Sequence, residues 1–206
     1  MKSGKGLMII LFIISFLWFM HTLSKNFMID PDFHRFLSKK DQVLSNPSLW
    51  ILMIRIHIIL ALIALLTGPI GLFKRLRVKS PSFHRWNGRI YFYSILLNFI
   101  PGIYAAFFAS GGIFSTIGFI VLDTLWLVTT VLGVRYIKQK DIQRHSTWMT
   151  RSFFLTFANM TIYIIVAVTH HGLNLPYGTS YTIAVWTCWV INLVLAEIVI
   201  RKRALF

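Results

Sequence analysis

Four ionisable side chains fall inside long apolar stretches of this chain: Arg55, His57, Asp123 and Glu197. Such groups are expensive at membrane depth, so they face a bundle interior, a partner or a cavity. His57 and Asp123 are the hardest to explain as packing. Counted from Trp50 and Ile113 at 1.5 Å per residue, they lie about 10 and 15 Å below the same surface. On neighbouring helices, an Asp–His contact can serve a proton relay, or orient a ligating imidazole through its second nitrogen. The plainer alternative is an interhelical hydrogen bond that fixes packing, worth about 0.6–2 kcal/mol. Arg55 lies only about 8 Å below that surface and can snorkel to it. Glu197 precedes Arg201 by one turn near the opposite surface, which predicts an i,i+4 ion pair. Asn98 and Asn159, at matching depth, are expected to bond each other.

A second constellation gathers near the opposite surface. His84-Arg85 is followed by Gly88-Arg89 and Tyr91, and His145 by Trp148-Met149 and Arg151. In each case a His precedes an Arg by five or six residues, with a Trp between, at the start of a helix of the same orientation. Two imidazoles at matching depth on facing helices can ligate a haem b iron from both sides. Arg85, Arg89 and Arg151 can then hold its propionates. The same arginines can instead receive lipid phosphate or an anionic substrate, or belong to a solvated basic loop. On the outer side, His57 with His170 or His171 would make a second pair. Their depths differ by about 10 Å, so that pair needs a bent helix, and His170-His171 also reads as a helix end facing water.

The elements that must position these groups are plain from composition. The chain has 206 residues, 21 Lys+Arg against 6 Asp+Glu, 56% apolar residues and 13% charged ones. An average soluble domain carries about 25% charged residues. The apolar residues fall in runs long enough to cross a hydrocarbon layer of about 30 Å. The single Cys188 excludes a disulfide framework and a Cys-rich metal site. The expected fold is all-α, an integral membrane bundle of six transmembrane helices with short loops, because one segment in lipid satisfies its own backbone only as a helix. The spans are placed at 7–23, 49–73, 91–109, 113–134, 152–169 and 181–200, the third and fourth joined by a tight Ser110-Gly111-Gly112 turn.

The first span reads as a retained signal-anchor, since no small-residue cleavage pattern follows it. Residues 1–48 therefore divide as anchor plus external loop, and 49–206 as a five-helix membrane core. In the loop, Asp30-Pro31 predicts a cap and first-turn proline for a short amphipathic helix carrying Phe33, Phe36 and Leu37 on one face. Of the 21 Lys and Arg, 16 fall on one side of the six spans. The positive-inside rule then places both termini in the cytoplasm of a cell-membrane protein. Topology accounts for the high net charge, and no nucleic-acid motif accompanies it. No phosphate loop, His-Glu-x-x-His or Gly-x-Ser-x-Gly motif is present.

His57 with Gly68-Pro69, the His-Arg-x-x-Gly-Arg-x-Tyr run from His84 to Tyr91, Trp126, and the His-x-x-Trp-Met-x-Arg run from His145 to Arg151 carry a family resemblance. Over about 51–165 the chain resembles the prokaryotic membrane-protein family catalogued as domain of unknown function 2306. The helical layout is more distantly similar to two-haem membrane cytochromes of the b561 type. The first resemblance implies a membrane bundle and no particular activity. The second implies haem b, with electron transfer to or from a quinone or a redox partner protein. Two alternatives stand beside it: a small transporter or ligand-binding membrane protein using His57 and Asp123 in a polar pocket, and a non-catalytic accessory subunit.

Overall fold

The computed structural model describes residues 2–38, 40 and 44–202, and all regular structure among them is helical. Of the basic residues used for orientation, Lys39 and Arg203 lie outside the described residues. The order is α1 (Lys2–Ser24), continued by π-helical turns at Lys25–Ile29, then α2 (His34–Leu37), α3 (Pro47–Leu72), α4 (Lys74–Lys79) and α5 (Pro81–Ala106). After these come α6 (Gly112–Lys138), α7 (Ile142–Leu155), α8 (Ala158–Val166) with π-helical turns at Ala167–Gly172, and α9 (Tyr177–Arg201).

Local chemistry explains most of the boundaries. Asn46 caps α3 by accepting from the Leu49 N–H at 3.0 Å, with Pro47 in the first helical position. Asp141 caps α7 by accepting from the Arg144 N–H at 2.9 Å. Pro81 opens α5, although the Ser80 hydroxyl makes no capping bond there. The turn between α5 and α6 places Gly111 at φ 87° and Gly112 at φ 68°, a left-handed conformation that glycine adopts without steric cost. The break between α7 and α8 falls where the Thr156 hydroxyl donates to the Phe153 carbonyl at 2.6 Å, competing with the helix ladder.

Five segments have the length and composition to cross a membrane: Gly6–Ile29, Pro47–Leu72, Gly112–Lys138, Ile142–Gly172 and Tyr177–Arg201. The expected third span, in α5, is not among them. Its 26 residues are long enough, but they include Asn87, Tyr91, Ser94 and Asn98. Those four side chains are buried, whereas Ile90, Tyr93, Leu97 and Ile100 are exposed. The helix turns its polar stripe inward and its apolar face outward, the reverse of a soluble amphipathic helix.

In the bundle, α5 lies between α3 and α6, and its interface with α3 is the most extensive. α7 packs on α6, α3 and α9, α8 on α9, and α1 on α3. One apolar cluster joins Ala64, Ile95, Leu122, Leu155, Val185 and Cys188. A second joins Met8 and Leu11 of α1 to Leu62, Leu65, Phe153 and Phe157. Cys188 is fully buried, and its thiol is directed at the Val185 carbonyl.

The segment between α1 and α3 folds onto the N-terminal end of α3. Asp30 accepts from the His34 and Arg35 N–H groups at 2.8 and 3.0 Å, but the single helical turn begins only at His34, behind a left-handed Phe33. Asp30 is therefore not its N-cap, and Pro31 lies before the helix and not in its first turn. Phe36 stacks on Trp50 with centroids 5.5 Å apart, and Phe33 meets the same indole edge-on. Lys40 donates to the Phe108 carbonyl and sits over the Trp50 ring. Arg55 snorkels as expected, donating to the Pro31 carbonyl at 2.8 Å with Asp32 3.6 Å away. That ion pair is largely exposed, so its stabilising effect is slight.

Candidate functional site

α5 carries the organising pattern. His84, Asn87, Tyr91, Asn98 and Gly102 follow at spacings of three, four, seven and four residues. That periodicity places all five on one stripe of the helix. Each meets groups from another helix, which builds three levels of polar contact along the bundle.

At the level expected to lie in the outer half, Gly102 brings α3, α5 and α6 together. A Cβ at this position would lie 2.7 Å from Asp123 Oδ2 and 3.2 Å from His57 Nδ1. The imidazole and the carboxylate are therefore no farther apart than those two distances laid end to end. Asn98, one turn before Gly102, approaches the His57 ring. Asn98 is 2% exposed and Asp123 8% exposed. The His57 Nδ1 and Asn98 Oδ1 atoms are buried without a hydrogen-bond partner. Pro101 lies beside this cluster and cannot donate to the Leu97 carbonyl one turn earlier. Asn159 sits exposed on α8. The expected Asn98–Asn159 pair does not form, because the two side chains face opposite ways relative to the core.

At the middle level a hydroxyl chain crosses three helices. Tyr91 Oη and Thr130 Oγ1 each lie 2.7 Å from Ser152 Oγ, and Thr130 donates to the Trp126 carbonyl at 2.7 Å. Each hydroxyl has one proton. With that of Thr130 committed to the carbonyl, Ser152 donates to Thr130 and Tyr91 donates to Ser152. Ser152→Ala is expected to strand the buried Tyr91 hydroxyl and cost about 1–3 kcal/mol. Thermal melts in detergent measure this. A Tyr91→Phe/Ser152→Ala pair should recover part of the loss, and an unchanged melt for Ser152→Ala would show that the chain adds no stability.

At the third level stand His84 and His145. The His145 Nδ1–H donates to the Gly133 carbonyl at 2.8 Å, which fixes that tautomer and leaves Nε2 with a free lone pair. His84 Nδ1 is buried without a partner. Burial, then the neighbouring charges of Arg77 and His145, push the His84 imidazole below its usual range, so it is neutral near pH 7. Arg77 of α4 is thus the cation facing both rings. It was overlooked in the sequence because it sits in a basic run whose members look alike.

The arginines expected around these histidines are directed elsewhere. Arg151 Nε donates to Glu197 Oε1 at 2.6 Å, with its guanidinium 4.4 Å from the Trp148 centroid. Glu197 therefore pairs across helices with Arg151, and not along its own helix with Arg201. Arg89 lies over Trp86 at 5.5 Å, and Arg85 is exposed. His170 donates from Nδ1 to the Leu175 carbonyl at 2.7 Å, while His171 is exposed beyond it. The groups drawn around His57 are Asn98, Gly102 and Asp123, and His171 is not one of them. Among the described residues, no three His, Cys, Asp or Glu side chains are grouped to hold a metal ion.

A family model described as "Predicted membrane protein (DUF2306)" matches residues 54–200. The match contains all three polar levels and extends past residue 165 through almost the whole of α9, leaving α1 and α2 outside. No curated protein matches the chain, and no solved structure does.

Proposed function

The chain belongs to the DUF2306 family of predicted membrane proteins, and we propose that it is a small transporter or ligand-binding protein of the cell membrane whose working groups are His57 and Asp123. The observation that carries this reading is the meeting at Gly102 of a carboxylate and an imidazole, with two hydrogen-bonding atoms beside them left unmet. Buried polar atoms are normally satisfied, so orphans clustered around a titratable pair mark a place for a solute, a water or a transferred proton. A neutral Asp123–His57 pair and its ionised form, carboxylate with imidazolium, have the same net charge. A proton can pass between the two groups without adding charge to the low-dielectric core.

This reading takes α5 as a sixth span. Its outward face is apolar and its polar stripe is enclosed by α3, α6 and α7. With six spans, 16 of the 21 Lys and Arg lie on one side, which supports an orientation with both termini in the cytoplasm. The test is proton or solute flux in liposomes loaded with a pH-sensitive dye. Wild type should dissipate an imposed pH gradient faster than empty liposomes, and His57→Ala should not. Equal rates for the two proteins would end this reading.

A specific observation favours a second reading, haem b binding by His84 and His145. The His145 tautomer leaves Nε2 available and the His84 imidazole is neutral, as iron ligation requires. The imidazoles fit the group, but the arginines expected for its propionates do not, since Arg85, Arg89 and Arg151 do not converge there. Arg77 is the side chain placed to hold a propionate. A bound haem would supply one-electron transfer with a quinone or a redox partner protein. A dithionite-reduced minus oxidised spectrum of purified protein decides it: sharp α and β bands that vanish in His145→Ala support haem, and a colourless preparation from haem-replete cells overturns it.

A further inference from the structure

The cations that do not serve the central clusters have a use on the outside of the bundle. Two grooves flank α5. The one between α3 and α5 has a volume of about 640 Å³, with Leu60, Ile63, Ile90 and Leu97 along its length and Trp86 and Arg89 at one end. The other, between α5 and α6, has a volume of about 350 Å³, with Phe92, Val131 and Val134 leading to Arg135 and Lys138. Both volumes fall within the range of ligand sites, about 300–1,000 Å³.

The two grooves share one plan. α5 runs away from the basic surface and α6 runs towards it, so Arg89, Arg135 and Lys138 all stand at the same end. From Arg89 to Leu97 the first groove extends about 12 Å along α5. Its cation is positioned by the Trp86 ring 5.5 Å away, an aromatic suited to headgroup depth. Arg89, Arg135 and Lys138 form no ion pair among the described residues, in contrast to Arg55, Arg144 and Arg151. No carboxylate lines either groove. Unmatched positive charge at the mouth of an apolar channel is complementary to one chemical class, an amphiphile with an anionic head and a hydrocarbon tail.

We infer that the grooves on either side of α5 are binding sites for anionic phospholipid, with the phosphate held by Arg89 in one and by Arg135 and Lys138 in the other, and an acyl chain along the apolar walls. Arg presents a planar fork of N–H donors that suits phosphate, whereas Lys acts as a point charge. The inference is independent of the reading given to His57 and Asp123.

Native mass spectrometry of detergent-purified protein tests it, with phosphatidylglycerol and phosphatidylcholine of matched chains added in equal amounts. Wild type should retain up to two phosphatidylglycerol molecules and prefer them over phosphatidylcholine. Each rim cation contributes about fivefold to that preference, from about 1 kcal/mol per basic residue near an anionic surface. Arg89→Gln should remove one retained lipid, and Arg135→Gln/Lys138→Gln the other, while Arg89→Lys keeps part of the preference. These side chains are exposed, so melting temperature serves as the check that the variants fold. Equal retention of both lipids, an unchanged preference in the Gln variants, or an uncharged isoprenoid as the co-purifying occupant would each overturn the inference.

Discussion

Gly102→Ala protein, reconstituted in liposomes, is expected to lose flux by about a hundredfold, the lower end of the range for removing a positioned proton-transfer group. The added methyl would stand 2.7 Å from Asp123 Oδ2 and 3.2 Å from His57 Nδ1, too close for either to keep its place. The carboxylate must rotate away or α5 must move out, and either change separates the two titratable groups. Gly88→Ala provides the control on the same helix. A Cβ there meets nothing within 4 Å, so the substitution should leave flux unchanged and add about 0.5–1 kcal/mol of stability through helix propensity. Asp123→Asn keeps the shape of the pocket but cannot exchange a proton, and it should match Gly102→Ala in flux while melting like wild type. If both variants transport normally, Gly102 marks a packing contact and nothing more.

The largest effect on stability is expected at Gly68. This residue of α3 is buried, and a Cβ there would run into the Phe153 ring, 2.9 Å from Cε2 and closer to Cδ2, with Tyr91 Cε2 at 3.3 Å. Phe153 is 1% exposed and wedged against Phe154 and Phe157 with centroids 5.9 and 5.1 Å away. A rigid ring held on both sides has no rotamer to escape into, so Gly68→Ala should destabilise by about 1–3 kcal/mol or more. The comparison is with Gly133→Ala, where the obstructing group is the flexible end of Met149. That variant should melt closer to wild type. Phe153→Leu should rescue Gly68→Ala in a double-mutant cycle, because the two changes act on the same space. An unchanged melting temperature for Gly68→Ala would show that α3 and α7 separate easily at this point.

Much of this architecture was legible in the residues themselves. The apolar runs and the Gly111-Gly112 turn form as expected, and these, like the Asn46-Pro47 and Asp141 caps, depend on local sequence or on composition. That His57 and Asp123 both lie close to Gly102 was also within reach. Rise per residue converts sequence distance into depth, and the two have similar depth on helices that run in the same direction. The polar stripe of His84, Asn87, Tyr91, Asn98 and Gly102 on α5 recurs at helical intervals and was available in the spacing, but the His and Arg motifs pointed elsewhere.

Which stripe faces which neighbour was another matter. Glu197 takes Arg151 and not Arg201, Asn98 lies against His57 and not Asn159, and Arg77 faces His84 and His145 while Arg89 turns to a groove on the outside of the bundle. Depth and periodicity give each side chain a height and an angle on its own helix, and nothing about the rotation of that helix in the bundle. That rotation is set by packing summed over whole interfaces, such as the close approach of α3 and α7 that Gly68 permits. Residue types and spacing in the sequence determined a membrane bundle with polar groups at three depths. Tertiary packing alone decided which of those groups meet, because each meeting depends on how several helices turn together.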